Sequence, residues 1–207
     1  MPADALVHVI DDDDAVRDSL EFLLAAAGIE VRTYVSAQSF LDTLDDGVRG
    51  CVITDVRMPE VSGIELLQRI GEKELALPVI VITGHGDVPL AVEAMKIGAV
   101  DFLEKPFDDE VLLASVRAAF GRKGSDDGRD AERRELVQRI EALSGRERQV
   151  LEGLVAGHPN KIIAFDLGIS PRTVEIYRAN LMTKMQAASL SDLVRMALVA
   201  GLLPNGP

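Results

Sequence analysis

Four consecutive aspartates (Asp11–Asp14), one aspartate at Asp55, a threonine at Thr83 and a lysine at Lys105 each stand at or just past the end of a short apolar run. Gathered on one rim, Asp11, Asp12 and Asp55 would repel one another, and a divalent cation relieves such repulsion. Hard oxygen ligands suit Mg2+, which takes one or two carboxylates and keeps several waters. Beside that cation, one carboxylate can attack a phosphoryl group and form an aspartyl phosphate. A lysine ammonium then neutralises charge on the phosphoryl oxygens, and a hydroxyl donates a hydrogen bond to them.

These residues share a rim only if the runs before them are neighbouring strands. Leu6–Ile10, Val31–Tyr34, Cys51–Thr54, Val79–Thr83 and Val100–Leu103 read as strands, with helix-length segments near 14–27, 37–45, 63–72, 88–97 and 109–120. Such alternation predicts a five-stranded parallel sheet with helices on both faces. Val79-Ile80-Val81-Ile82 is apolar throughout, as a strand covered on both faces should be. Ligands of open α/β sheets bind beyond the carboxyl ends of the strands, where strand order reverses.

The chain has 207 residues, 47% of them apolar, enough for two modest domains with real cores. No apolar run approaches the ~20 residues of a membrane span, and Arg195 interrupts the best candidate. The N-terminus lacks a basic flank and a long apolar stretch, so no signal peptide and no membrane partner are expected. A single cysteine, Cys51, fits a small core residue in a reducing, cytoplasmic setting. The net charge of −12 is uneven: residues 1–124 hold 11 basic against 23 acidic residues, whereas residues 144–207 hold 7 against 5. The C-terminal part is therefore free to meet a polyanion.

Each acidic-site residue also has an ordinary reading. Asp13 and Asp14 suit a helix N-cap and solvated charge, and Asp11 and Asp12 alone would do the same. Thr83 suits a strand end, and Lys105 before Pro106 a surface position. Their joint placement at one end of different strands favours the site. His8 reads as structural, and His85 has no second ligand near it. VIDDDD, TDVRMPEVSG, VITGHGD and FLEKPF, in that order, resemble the motifs of a response-regulator receiver domain over residues 6–120. That resemblance implies a flavodoxin-like α/β fold and phosphorylation of Asp55. It also implies Mg2+ on Asp11, Asp12, Asp55 and the backbone carbonyl of Arg57, with Thr83 and Lys105 sensing the phosphoryl group. Phe102 would be the aromatic that swings inward on activation, or a plain core residue, and Lys105-Pro106 a cis peptide.

A polar, glycine-rich stretch at 121–128 suggests a linker, followed by a helical stripe of Leu136, Val137, Ile140 and Leu143 able to pack on either domain or on another chain. Ser144 and Glu147 form a capping-box pattern. Asn160–Leu167 reads as a short helix stopped by Gly168, and Ser170-Pro171 starts the next. Two short helices on a tight glycine turn make an all-α helix-turn-helix. Val174, Tyr177, Leu181 and Met185 fall on its inner face. Arg172, Arg178 and Lys184 are left outside for phosphates, with Thr173, and Glu175, Ile176 and Ala179 for base edges. A protein-binding helical bundle is the alternative.

LSGRERQVL, NKIIAFDLGIS and SPRTVEIYRANLMTKM resemble the helices of a LuxR/NarL-type DNA-binding domain, with Tyr177 and Ile162 departing from the family's usual residues. Lys161 joins the expected DNA contacts. The resemblances divide the chain into a receiver (1–122), a linker with a helical segment (123–142) and a DNA-binding domain (143–207). Across nearly the whole chain the resemblance is to rhizobial nitrogen-fixation regulators. It implies a sensor histidine kinase as phosphodonor, homodimerisation on phosphorylation, double-stranded promoter DNA and RNA polymerase as partners, and activation of nitrogen-fixation and microaerobic genes. A haloacid-dehalogenase-type phosphatase would need an acid two residues after its nucleophile, where this chain has Arg57. The expectation is a regulator, not an enzyme.

Overall fold

The computed structural model describes residues 5–45, 47–73, 75, 77–84, 88–121 and 126–202. His85 and part of the glycine-rich break (122–125) lie outside these residues. The elements run β1 (Leu6–Ile10), α1 (Asp14–Ala26), β2 (Glu30–Tyr34), α2 (Ala37–Leu41), β3 (Cys51–Asp55), α3 (Gly63–Glu72), β4 (Val79–Thr83), α4 (Val88–Ile97), β5 (Asp101–Glu104) and α5 (Asp109–Gly121). There follow α6 (Asp126–Glu141), α7 (Gly145–Val155), α8 (Asn160–Leu167), α9 (Pro171–Met185) and α10 (Leu190–Val199). The chain divides into two compact units, Met1–Gly86 with Ile97–Lys123, and Asp87–Lys96 with Gly124–Pro207.

The sheet is parallel throughout, in the order β2-β1-β3-β4-β5. Its order reverses between β1 and β3, which fixes where a ligand site opens. β3 and β4 are buried at every position, while the edge strand β2 is mostly exposed. Ile53, Ile80 and Ile82 are fully shielded and pack with Val7, Val9, Leu24, Leu112 and Val116. Each such side chain contributes about 1.5–3 kcal/mol relative to exposure.

In the second unit, Ser144 and Glu147 close the expected capping box at the start of α7. α8 has the expected bounds and α9 starts at Pro171 as expected; between them Gly168 takes φ 64, a left-handed turn that glycine adopts without steric cost. Val174, Leu181 and Met185 are fully buried, with Tyr177 packed at the margin of the same core. Ile162, grouped with the apolar residues of α8, points outward at 46% exposure, whereas Ile163 and Ala164 face inward. The stripe Leu136, Ile140 and Leu143 joins this core, so α6 is built into the second unit. α10, unforeseen from the sequence, closes the core with Leu193, Met196 and Ala197, and its start is capped by Ser189.

Candidate functional site

Strand register explains how distant residues meet. Ile10 pairs with Thr54, so Asp11, the next residue, stands beside Asp55 at the carboxyl end of β3. Asp55 pairs with Ile82, which places Thr83 one step beyond it, and Thr83 in turn pairs with Glu104, the residue before Lys105. The Lys105 amide donates to the Thr83 carbonyl at 2.7 Å, tying the last two strand ends together. The Lys105–Pro106 peptide is cis.

The Lys105 ammonium bridges the two acids. Its Nζ donates to Asp11 Oδ2 and to Asp55 Oδ1, each at 2.8 Å. Burial works against the ammonium, but the hydrogen bonds and charges of Asp11 and Asp55 outweigh it and raise the Lys105 pKa. The second Asp55 oxygen, Oδ2, accepts from the backbone amide of Arg57 at 2.6 Å. Asp55 is 7% exposed, so its carboxylate is reached from the rim alone. Thr83 is fully buried, and Phe102 is buried as well.

The run of aspartates divides its tasks. Asp11 is buried, and its Oδ1 accepts from the Asp13 amide at 2.9 Å. Asp13 caps α1, accepting from Ala15, and Asp14 pairs with Arg17. Arg17 also donates to the Asp11 carbonyl at 2.6 Å. Asp12, Asp13 and Asp14 are all exposed, and of the four aspartates Asp12 alone takes no hydrogen bond from any described residue. Among the described residues no three carboxylate, imidazole or thiol side chains gather closely enough to enclose a metal. The donor set still fits a hydrated hard cation, because Mg2+ needs one or two carboxylates and fills its remaining positions with water and carbonyl oxygen.

The loop after Asp55 is tightly constrained. The Val61 amide donates to the Pro59 carbonyl at 2.7 Å across Glu60, whose φ is 66. A Cβ on Gly63 would lie 2.1 Å from the Asp55 carbonyl oxygen, so only glycine lets α3 start so close to the phosphoacceptor candidate.

On the second unit, Lys161, Arg172, Glu175, Ile176 and Ala179 are exposed, and Ile176 is 56% exposed despite being apolar. Thr173 is half-buried; its amide and hydroxyl both meet Ser170 Oγ at the start of α9. Arg178 is also half-buried and donates to Asn160 Oδ1 at 3.0 Å, which joins α9 to the first residue of α8. Lys184, read as an outward phosphate contact, is exposed and also donates to Glu147 Oε2 at 2.7 Å. Hydrogen bonds from Lys184 and Ser144 hold the Glu147 carboxyl down to about 2. No local pattern signals this tie, because the partners are 37 residues apart. The same holds for Arg139, which donates to the Met185 carbonyl at the end of α9.

Comparison with known proteins agrees with both halves. The profile described as "Response regulator receiver domain" matches residues 7–117, and that of "Bacterial regulatory proteins, luxR family" matches residues 141–197. The chain is 61% identical over 204 residues to "Transcriptional regulatory protein FixJ" of Azorhizobium caulinodans, covering 99% of this chain and 97% of that one. It is 42% identical to "Response regulator protein TodT" of Pseudomonas putida, over 93% of this chain and 85% of that one. Among solved structures, full-length FixJ from B. japonicum is similar at 55% identity, with a TM-score of 0.56 over 96% of this chain and 98% of that one. The three relatives each align across both halves of the chain. The chain therefore belongs to the response regulators that join a receiver domain to a LuxR-type DNA-binding domain.

Proposed function

We propose that this chain is a phosphorylation-controlled transcription activator in the cytoplasm, in which Asp55 accepts a phosphoryl group from a sensor histidine kinase. An Asp55 carboxylate oxygen bonds to phosphorus as the donor's P–N bond breaks, and the electron pair leaves with the imidazole nitrogen. Asp11, Asp12, Asp55 and the Arg57 backbone carbonyl would hold Mg2+, which when bound draws charge from the phosphoryl oxygens. Lys105 takes up charge on the same oxygens, and Thr83 donates its hydroxyl to them. At most, the chain phosphorylates and dephosphorylates itself.

The observation that carries this reading is the Lys105 ammonium at 2.8 Å from both Asp11 and Asp55. It already stands where the three extra oxygens of an acyl phosphate would need a cation. The charge added at Asp55 draws Thr83 inward, Phe102 follows, and the chain pairs into a homodimer on promoter DNA. Lys161, Arg172, Thr173, Arg178 and Lys184 would then meet phosphates, with Glu175, Ile176 and Ala179 towards bases. For Lys184 this requires release from Glu147. RNA polymerase would be recruited there, and the 61% identity to FixJ favours nitrogen-fixation and microaerobic genes as targets.

The test is Asp55→Asn treated with acetyl phosphate and Mg2+, read by intact-mass spectrometry. The wild type should gain one phosphoryl mass and the variant none. Equal gain in both would remove Asp55 as acceptor.

A further inference from the structure

The LuxR-type profile begins at residue 141, yet the helix before it forms part of the core beneath the recognition helix. Leu136 and Ile140 of α6 are 4% and 5% exposed and share a cluster with Val174, Leu181 and Met185 of α9. From the same helix, Arg139 donates through Nη1 to the Met185 carbonyl at 2.7 Å and through Nη2 to Glu135 Oε1 at 2.6 Å. Met185 is the last residue of α9, and the final four carbonyls of a helix have no partner within it. Gln186 turns left-handed and sends its own N–H back to Met182 and Thr183. The last carbonyl of α9 is thus met from outside the helix, by a cation placed where the helix dipole favours one.

We propose that α6 is a working part of the DNA-binding unit, and that Arg139 is a positioning residue that fixes the C-terminal end of α9. The opposite end is fixed by Ser170, whose Oγ accepts from the Thr173 amide at 3.1 Å. Held at both ends, α9 presents Glu175, Ile176 and Ala179 at one angle. Released at one end, it samples several, and contacts that depend on base position weaken before contacts to phosphate do.

The experiment compares full-length wild type, Arg139→Gln and Arg139→Lys, all with acetyl phosphate and Mg2+ present. The probes are a duplex that the wild type selects from a random-sequence pool and a scrambled duplex of the same composition. Ile163→Val, a core change elsewhere in the unit, serves as the reference for plain destabilisation. Arg139→Gln should bind the selected duplex about tenfold more weakly, the size of one charge-assisted hydrogen bond. Its affinity for the scrambled duplex should change little. Hydrogen exchange over residues 182–187 should quicken, and Arg139→Lys should recover most of both properties. Wild-type selectivity in Arg139→Gln would overturn the proposal, as would a loss equal on both duplexes or no larger than that of Ile163→Val. Should Arg139→Gln fail to fold, Arg139→Ala takes its place under the same criteria, since alanine keeps the helix.

Discussion

His8 is 2% exposed, yet both of its ring nitrogens are used. Nε2 lies 2.9 Å from the Arg49 carbonyl, which can only accept, so Nε2 carries the proton and Nδ1 accepts from the Tyr34 hydroxyl at 3.1 Å. Burial lowers the His8 pKa from its ordinary 6.5; the Arg49 carbonyl opposes that in part, and the charge of Arg32 adds to it. The folded protein therefore resists protonation, while the unfolded chain takes up a proton as pH falls below about 6.5. Stability contributed by neutral His8 is present above that pH and is lost as pH falls towards the folded pKa. Thermal unfolding at pH 7.5 and 5.5 should show His8→Phe less stable by about 1–3 kcal/mol at the higher pH. The gap should narrow at the lower pH, and a constant gap would contradict the assignment. The sequence could show His8 as a histidine inside a strand and no more. Its partners come from a neighbouring strand and a distant loop, as Lys184 finds Glu147 and Arg139 finds Met185. Local periodicity assigns a side chain to a face, not to the partner waiting there.

At the scale of elements, the sheet was legible because its strands are short, apolar and bounded by polar residues. Once strand order is known, the rim of Asp11, Asp55, Thr83 and Lys105 follows from register alone. The helix α10 escaped notice: its apolar positions, Leu193, Val194, Met196 and Ala197, follow a serine cap that also reads as a loop. The junction of β3 and α3 makes a sharper demand. Because a methyl at Gly63 would meet backbone rather than a yielding side chain, Gly63→Ala must push α3 away from Asp55. Overpacking of this kind costs about 1–3 kcal/mol, and the upper end is expected here. Chemical denaturation should show that loss, together with slower phosphorylation by acetyl phosphate; an unchanged midpoint would mean the turn relaxes freely.

For the whole molecule, the acidity of residues 1–124 against the near-balance beyond them separates a surface that repels DNA from one that tolerates it. The phosphorylated protein should therefore rely on pairing two chains to hold a site. Sedimentation should show the mass doubling with acetyl phosphate and Mg2+, with no change in Asp55→Asn. Thr83→Ala should take up phosphate yet remain mostly single. Equal masses with and without phosphate would remove the dimer from the scheme. The docking of Leu136, Ile140 and Arg139 into the second unit bears on modularity. A chimera that grafts a foreign receiver at residue 141, where the family profile begins, would exchange part of the DNA-binding core along with the sensor. A graft just before Asp126 keeps that core whole. The portable cassette of this chain therefore starts a full helix earlier than its family boundary, and recombination between such regulators should favour breakpoints ahead of α6.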